Sequence, residues 1–376
     1  MRVLHVIGAM DRGGAESMVM NLYRSIDRSW LQFDFLVHEQ RECDYDAEIE
    51  SLGGSIYRLP RFNGANLIGY RSLCRRFFRE HPEHAIVHGH IGSSAAVYLS
   101  AAKAAGKRAV AHSHSRNYIK GLGGAAFAAA SFPTRYVADW FFACSEEAGL
   151  ARFGSSVVRG DRFAILDNGI DLERYRCDEE GHQAAKRSLG LEGRPVFGHV
   201  GRLDPEKNHA FLFEAFALLR RDLPDAVLLL AGRGVLEGEL KRRAQDLGID
   251  DAVRFLGVVD DVPLLLCAMD VFVFPSVNEG LAMAAVEAQA SGAQCLISDG
   301  VPERAFISDD AVRLPLSAGA AGWASEMLRL YGESRKHERS DRAEAARAHG
   351  FDVAQTAQRL CRFYDRLRVE GRRARF

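Results

Sequence analysis

The chain has 376 residues, of which 26% are charged and 47% hydrophobic, with a formal net charge of -1. That length exceeds one ordinary hydrophobic core and predicts two domains of about 170 to 190 residues each. The balanced charge excludes the global basic field of a nucleic-acid binder. The longest apolar run, 262–275, is broken by Asp270 and falls short of the ~18 residues of a membrane span.

The seven cysteines are scattered and never form a C-x-x-C pair, which fits a reducing compartment and gives no zinc site. Residues 1–8 read as a strand entering a loop rather than a secretory signal. In chain order, strands are expected at 3–7, 33–37, 55–59, 86–88, 107–112, 140–143 and 162–166, with helices at 15–24, 67–81, 94–105 and 145–153. The pattern restarts with strands at 195–200, 226–231, 253–255, 271–274 and 294–297. Between the halves lies a polar stretch through Arg187, and the boundary is placed near Cys177. Alternating strands and helices predict parallel sheets covered on both faces. Ligands of such sheets bind beyond the carboxyl ends of the strands, so the loops that follow strands carry the candidates.

The loop after the first strand, Gly8 to Glu16, contains adjacent glycines Gly13 and Gly14, which permit close backbone approach to phosphate or sugar. Its spacing is not G-x-G-x-x-G. Histidines follow two later strands as His88-Gly-His90 and His112-Ser-His114. Four histidines could bind a metal. The two side chains of each H-x-H are expected to point to opposite faces, however, and no carboxylate or cysteine accompanies them, so no metal is expected. The basic, aromatic segment 70–79 and the basic carboxy end 362–375 read as amphipathic helices with solvated cations.

In the second half a strand ends at Gly201, and a helix is expected after Pro205. Arg202 and Lys207 would flank its amino terminus, where free N–H groups favour an anion. The Arg fork and the compact Lys ammonium complement a diphosphate, although either residue alone would read as a surface cation. Gly232-Arg-Gly234 follows the next strand, with one residue too many before Gly238 for the dinucleotide pattern, and Arg254-Phe255-Leu256-Gly257 follows the one after. The run 274–292 then places Glu279 and Glu287 on either side of seven residues. Glu279 is expected in the loop at a strand end. Glu287 is expected two turns into a helix over 282–290, roughly 12 Å along. Gly280 allows close backbone approach, and carboxylates accept hydroxyl hydrogen bonds from two parts of a polyol. Spacing alone does not separate this reading from two solvated acids.

The segment 274–292 resembles the E-x7-E signature of retaining glycosyltransferases with the GT-B fold, family four, and 287–299 looks like members that build bacterial exopolysaccharide or capsule. Residues 201–207 are similar to the family's G-R-x-x-x-x-K segment, 13–16 to its G-G-[AT]-E loop, and 168–175 to its interdomain N-G-I-D-x-x-x-[FY]. The resemblance implies two Rossmann-like doubly wound domains facing a central cleft. Residues 1–176 would bind the acceptor and 177–350 the donor, while 351–376 would form a helix crossing back to the first domain. It implies Arg202 and Lys207 on the donor diphosphate, Glu279 on the sugar ring beside Gly280 and Leu281, and Glu287 on the ribose. Backbone at Phe255 and Leu256 would read the nucleobase, Gly232 and Gly234 would lie beside the donor, and Gly13 and Gly14 would face donor and acceptor. His114 would contact the transferred sugar, with His112 as rival and His90 weaker.

The expected activity is retaining, metal-free transfer from a nucleoside-diphosphate sugar, UDP-linked, without cofactor. The expected acceptor is a glycan or polyprenyl-linked molecule in bacterial polysaccharide biosynthesis. A cytoplasmic place is implied, with peripheral contact at an anionic leaflet through the basic helices. Here the family's E-G-[FL]-[GP] reads Glu279-Gly-Leu-Ala282, which leaves the sugar unassigned. Rival readings are a phosphorylase or nucleotide-sugar epimerase of the same fold, a non-enzymatic nucleotide-sugar-binding subunit, and an NAD oxidoreductase, which lacks its phosphate fingerprint.

Overall fold

A computed structural model describes residues 1–114, 121–370 and 373–376. Two compact units are formed, one by Met1–Ile170 with Phe351–Phe376 and the other by Asp171–Gly350. The division precedes Cys177 because the short helix Leu172–Tyr175 packs on helices of the second unit. Of the basic carboxy end, residues 371 and 372 lie outside the described residues.

The first unit holds seven parallel strands: β1 (Arg2–Ile7), β2 (Gln32–Val37), β3 (Ile56–Arg58), β4 (His84–Gly89), β5 (Arg108–Ser113), β6 (Trp140–Ala143) and β7 (Phe163–Ile165). Their order is β3-β2-β1-β4-β5-β6-β7, so strand order reverses between β1 and β4. Along each strand alternate residues point to opposite faces: Val3, Ile7, Ile86 and Val110 pack with the helices Gly14–Ser25 and Val353–Glu370, and Leu4, Val87 and Ala109 pack on the other face. Both faces are therefore apolar, as a covered parallel sheet requires.

The second unit holds β8 (Val196–Val200), β9 (Val227–Ala231), β10 (Val253–Gly257), β11 (Val271–Phe274), β12 (Gln294–Ser298) and β13 (Val312–Leu314), in the order β10-β9-β8-β11-β12-β13. Here the reversal falls between β8 and β11. The edge strand β13 has only three residues, too few for alternation to reveal it.

The polar stretch through Arg187 holds the helix Glu179–Ser188. Asp178 caps it by accepting from the Gly181 amide at 2.8 Å, two acids occupy its first turn, and Lys186 and Arg187 its last. On its buried side Lys186 donates to Asp270 at 2.8 Å, and His182 lies 3.2 Å from the same carboxylate. Burial pushes the Asp270 carboxyl up, but His182 and Lys186 outweigh it and leave the group below its ordinary value. Cys177 and Cys267 are joined in a disulfide, which departs from the expected reducing-compartment chemistry; 90 residues of separation hid the pair.

Candidate active site

In the second unit the loops after β8 and β11 leave the sheet at its switch point, where open α/β sheets bind ligands. The expected helix does not follow Pro205 directly. A 3-10 turn, Pro205–Lys207, comes first, with Asp204 accepting from the Lys207 amide at 3.3 Å. Asn208 then adopts the left-handed region (φ 57°), and the helix His209–Leu219 begins. Asn tolerates that region better than most residues. The Val277 amide donates to the Glu206 carbonyl at 2.8 Å, and the Glu279 amide to Gly300 at 3.1 Å. These bonds fasten the two loops to each other and to the end of β12.

The fastened loops bring Lys207 and Glu279 together. Lys207 Nζ donates to Glu279 Oε1 at 2.5 Å, with both side chains mostly buried, and Nζ also sits 4.9 Å from the Phe274 ring centroid. Arg202 differs. Its side chain is 71% exposed, and its guanidinium lies 3.2 Å from Asp204. One cation is thus held in a pair while the other reaches outward.

Gly232 and Gly234 serve packing. A Cβ on Gly232 would stand 2.0 Å from the Gly201 carbonyl oxygen, and one on Gly234 would stand 2.2 Å from that of Leu203. Gly232 also has φ +138°. The Leu203 amide donates to Arg233 at 3.1 Å, so the loops after β8 and β9 lock edge to edge. The Gly232 amide in turn donates to Gly257 at 2.7 Å, which sets the end of β10 beside them. There Leu256 is exposed, while Phe255 packs against Phe213.

Past Glu279, Gly280 faces open space and Leu281 is buried. Ala282 is left-handed (φ 58°, ψ 54°) and caps the helix Met283–Ala290. Glu287 is therefore the fifth residue of that helix rather than two turns in. Burial pushes its carboxyl up to about 7, against the lowering effects of a hydrogen bond from Tyr175 and the charge of Arg174. The motif 168–175 thereby ends on a residue that touches the second acid. Two further groups had no signal in the sequence. His199 and His209 lie buried beneath the Lys207 turn, their rings 4.6 Å apart, and burial lowers both so that they stay neutral.

In the first unit Gly13 caps the helix Gly14–Ser25, and the Glu16 carboxylate lies 2.4 Å from where a Gly13 Cβ would be, whereas Gly14 faces open space. The histidines contradict the expectation that H-x-H side chains diverge. Residues i and i+2 of a strand share a face. His5 is paired with His88 in register, and His90, His112 and His114 continue on the same face. His5 Nδ1 lies 2.9 Å from His90 Nε2, and His90 Nδ1 lies 2.7 Å from His114 Nε2. His88 Nδ1 meets the Tyr364 hydroxyl at 2.5 Å. Burial, then neighbouring imidazoles, hold His5, His88, His90 and His112 well below the ordinary value, and burial followed by Arg152 lowers His114 to about 3.

Comparison with known proteins gives a consistent picture. Residues 12–174 match the family model described as Glycosyltransferase Family 4, and residues 182–347 the one described as Glycosyl transferases group 1. The chain is 36% identical over 370 residues to EpsF of Bacillus subtilis (strain 168), a glycosyltransferase by name, covering 97% of this chain and 96% of that protein. It is 35% identical over 142 residues to the UDP-Gal:alpha-D-GlcNAc-diphosphoundecaprenol alpha-1,3-galactosyltransferase of Escherichia coli, 37% of each chain. In fold it is similar to Anabaena HepE solved with UDP-glucose, with TM-score 0.77 and 18% identity over 97% of this chain and 99% of that one.

Proposed function

The chain belongs to the GT-B glycosyltransferases of family 4, and we propose that it is a retaining enzyme that moves a sugar from a UDP-sugar to a glycan or polyprenyl-linked acceptor in bacterial polysaccharide synthesis. The observation that carries this reading is the grouping of Lys207, Glu279 and Arg202 at the switch point of the second unit. A donor diphosphate there meets Arg202 directly. Lys207 exchanges part of its contact with Glu279 for a phosphate oxygen, and Glu279 turns to a sugar hydroxyl. Two cations offset the charge that grows on the leaving phosphate, so the donor needs no divalent ion. In same-face displacement the C1–O bond to the diphosphate breaks, the acceptor oxygen bonds C1, and the acceptor proton passes to the departing phosphate. The E. coli relative's UDP-Gal donor and diphosphoundecaprenol acceptor favour UDP and a lipid-linked acceptor.

Calorimetry of UDP, GDP, ADP and NAD with EDTA, on wild type and Arg202→Ala, tests the donor assignment. UDP binding that weakens at least about tenfold in the variant is expected, on the scale of a lost charge-assisted contact. NAD binding alone, or no nucleotide binding, overturns it.

Peripheral membrane contact would fall to the helix Leu67–Glu80. No described helix is long and apolar enough to cross a membrane. On this one Tyr70, Phe77 and Phe78 are buried, so its aromatic residues belong to the core, while Leu67 and Ile68 are exposed beside Arg71, Arg75 and Arg79. Flotation with anionic vesicles should drop for Ile68→Glu. Equal flotation of both proteins, or none of either, removes this contact.

A further inference from the structure

The histidine cluster of the first unit has more ligating atoms than partners. His5 Nε2, His88 Nε2, His114 Nδ1 and both nitrogens of His112 are buried without a hydrogen bond, and His112 is only 4% exposed. Each neutral imidazole carries one lone pair and one N–H. In the line His5–His90–His114, whichever way the protons run, both end nitrogens stay unmet. One nitrogen from each of His90, His112 and His114 lies within 4.8 Å of the other two. Three nitrogens at roughly 2.0–2.1 Å from one tetrahedral Zn²⁺ stand about 3.4 Å from each other, so side-chain rotations that draw nitrogens together by up to about 1.4 Å turn this arrangement into a ligand set.

We propose that His90, His112 and His114 bind one divalent transition-metal ion of the zinc type. Three imidazoles suit such an ion, and three protein ligands leave a fourth position open. The site stands at the carboxyl ends of β4 and β5, where His90 and His114 are half-buried, so the ion has an entry path. His5 is a positioning residue. Its Nδ1 takes the Nε2–H of His90, so Nδ1 of His90 carries a lone pair that exchanges its 2.7 Å contact with His114 Nε2 for the ion, in the way that outer partners fix the tautomer of ligating histidines. The competing trio His5, His88 and His90 is less suited, because His5 and His88 are each 1% exposed and offer an ion no path from solvent. Arg202, Lys207, Glu279 and Glu287 lie in the other unit, and the test of this ion does not depend on their assignment to the donor.

Metal-stripped full-length protein is titrated with Zn²⁺ and with Co²⁺, whose visible bands report coordination, and crystals grown with Zn²⁺ are measured at the zinc edge. One ion per chain is expected, with its anomalous peak between His90, His112 and His114. His112→Ala and His114→Ala should each lower Zn²⁺ affinity at least about 100-fold and His5→Gln about 10- to 100-fold, while the exposed His337→Ala leaves it unchanged. No ion bound, wild-type affinity in His112→Ala, or a peak at His5–His88–His90 or at His81–Glu83–His84 would overturn the proposal. The wild-type crystal decides the matter even if a variant fails to fold.

Discussion

Lys207 and Glu279 stand 72 residues apart in the chain and 2.5 Å apart in the second unit. Neither residue needs the other for the fold, since both lie in loops fastened by backbone hydrogen bonds. The pair keeps each side chain in place until a ligand with both a phosphate and hydroxyls arrives. Glu279→Ala should therefore cut transfer by about 10² to 10³, the usual effect of removing one preorganised polar group, while UDP binding survives. Steady-state transfer and UDP calorimetry on one preparation check this. Turnover near wild type removes Glu279 from the reaction.

Ala282 holds a backbone conformation that suits glycine. Left-handed alanine costs roughly 1–2 kcal/mol. Glycine would recover that cost but lose roughly 0.4–1 kcal/mol more freedom on folding. Ala282→Gly should stabilise the second unit by about 1 kcal/mol, read as a higher denaturation midpoint. A lower midpoint would mean that the Ala282 methyl, which is buried, contributes more through packing than its backbone costs.

Glu287 should make stability fall as pH rises. Its carboxyl goes from 4.5 in the open chain to about 7 when folded, so between those values the folded protein binds more protons than the unfolded one. The stabilisation is full below pH 4.5 and is lost as pH passes through about 7. Glu287→Gln should flatten this slope and melt higher than wild type at pH 8. Melting curves with equal slopes from pH 5 to 8 would show that Tyr175 and Arg174 keep the group ionised.

Asp270 joins the helix Glu179–Ser188 to the start of β11 through Lys186 and His182. Asp270→Ala leaves Lys186 buried without its counter-ion and should cost about 3–5 kcal/mol. Being at the amino end of β11, it should leave the UDP affinity of folded protein unchanged. A denaturant series with parallel calorimetry separates the two effects, and a loss under 1 kcal/mol would show that water already reaches the pair.

Most strands were legible because their apolar runs are long, as at 271–274 and 226–231. The helix Glu179–Ser188 has no long apolar run to mark it, although Asp178, its acidic first turn and its basic last turn spell a capped helix. The acids and cations of the donor loops were legible as types at fixed spacings. Their pairing was not, because strand order decides that β8 and β11 are neighbours. The contact of Tyr175 with Glu287 was hidden for the same reason. The histidines of each H-x-H share a face because strand side chains repeat every two residues, and the register of β1, β4 and β5 brings them together.

The first unit draws its hydrophobic core from two separate segments, Met1–Ile170 and Phe351–Phe376. Val353, Leu360, Phe363, Tyr364 and Leu367 pack against Val3, Phe33 and Phe142, and Ile170 donates to Phe351 at 2.8 Å where the chain returns. On the ribosome, residues 1–170 emerge first but lack the helix that closes their core. The second unit, continuous from Asp171 to Gly350, can close before the helix Val353–Glu370 is made. The nascent first unit must therefore wait, its apolar face uncovered, through the making of an entire folded insert. A chain cut short between Gly350 and Val353 would therefore keep the whole second unit and lose the helix that covers the core of the first.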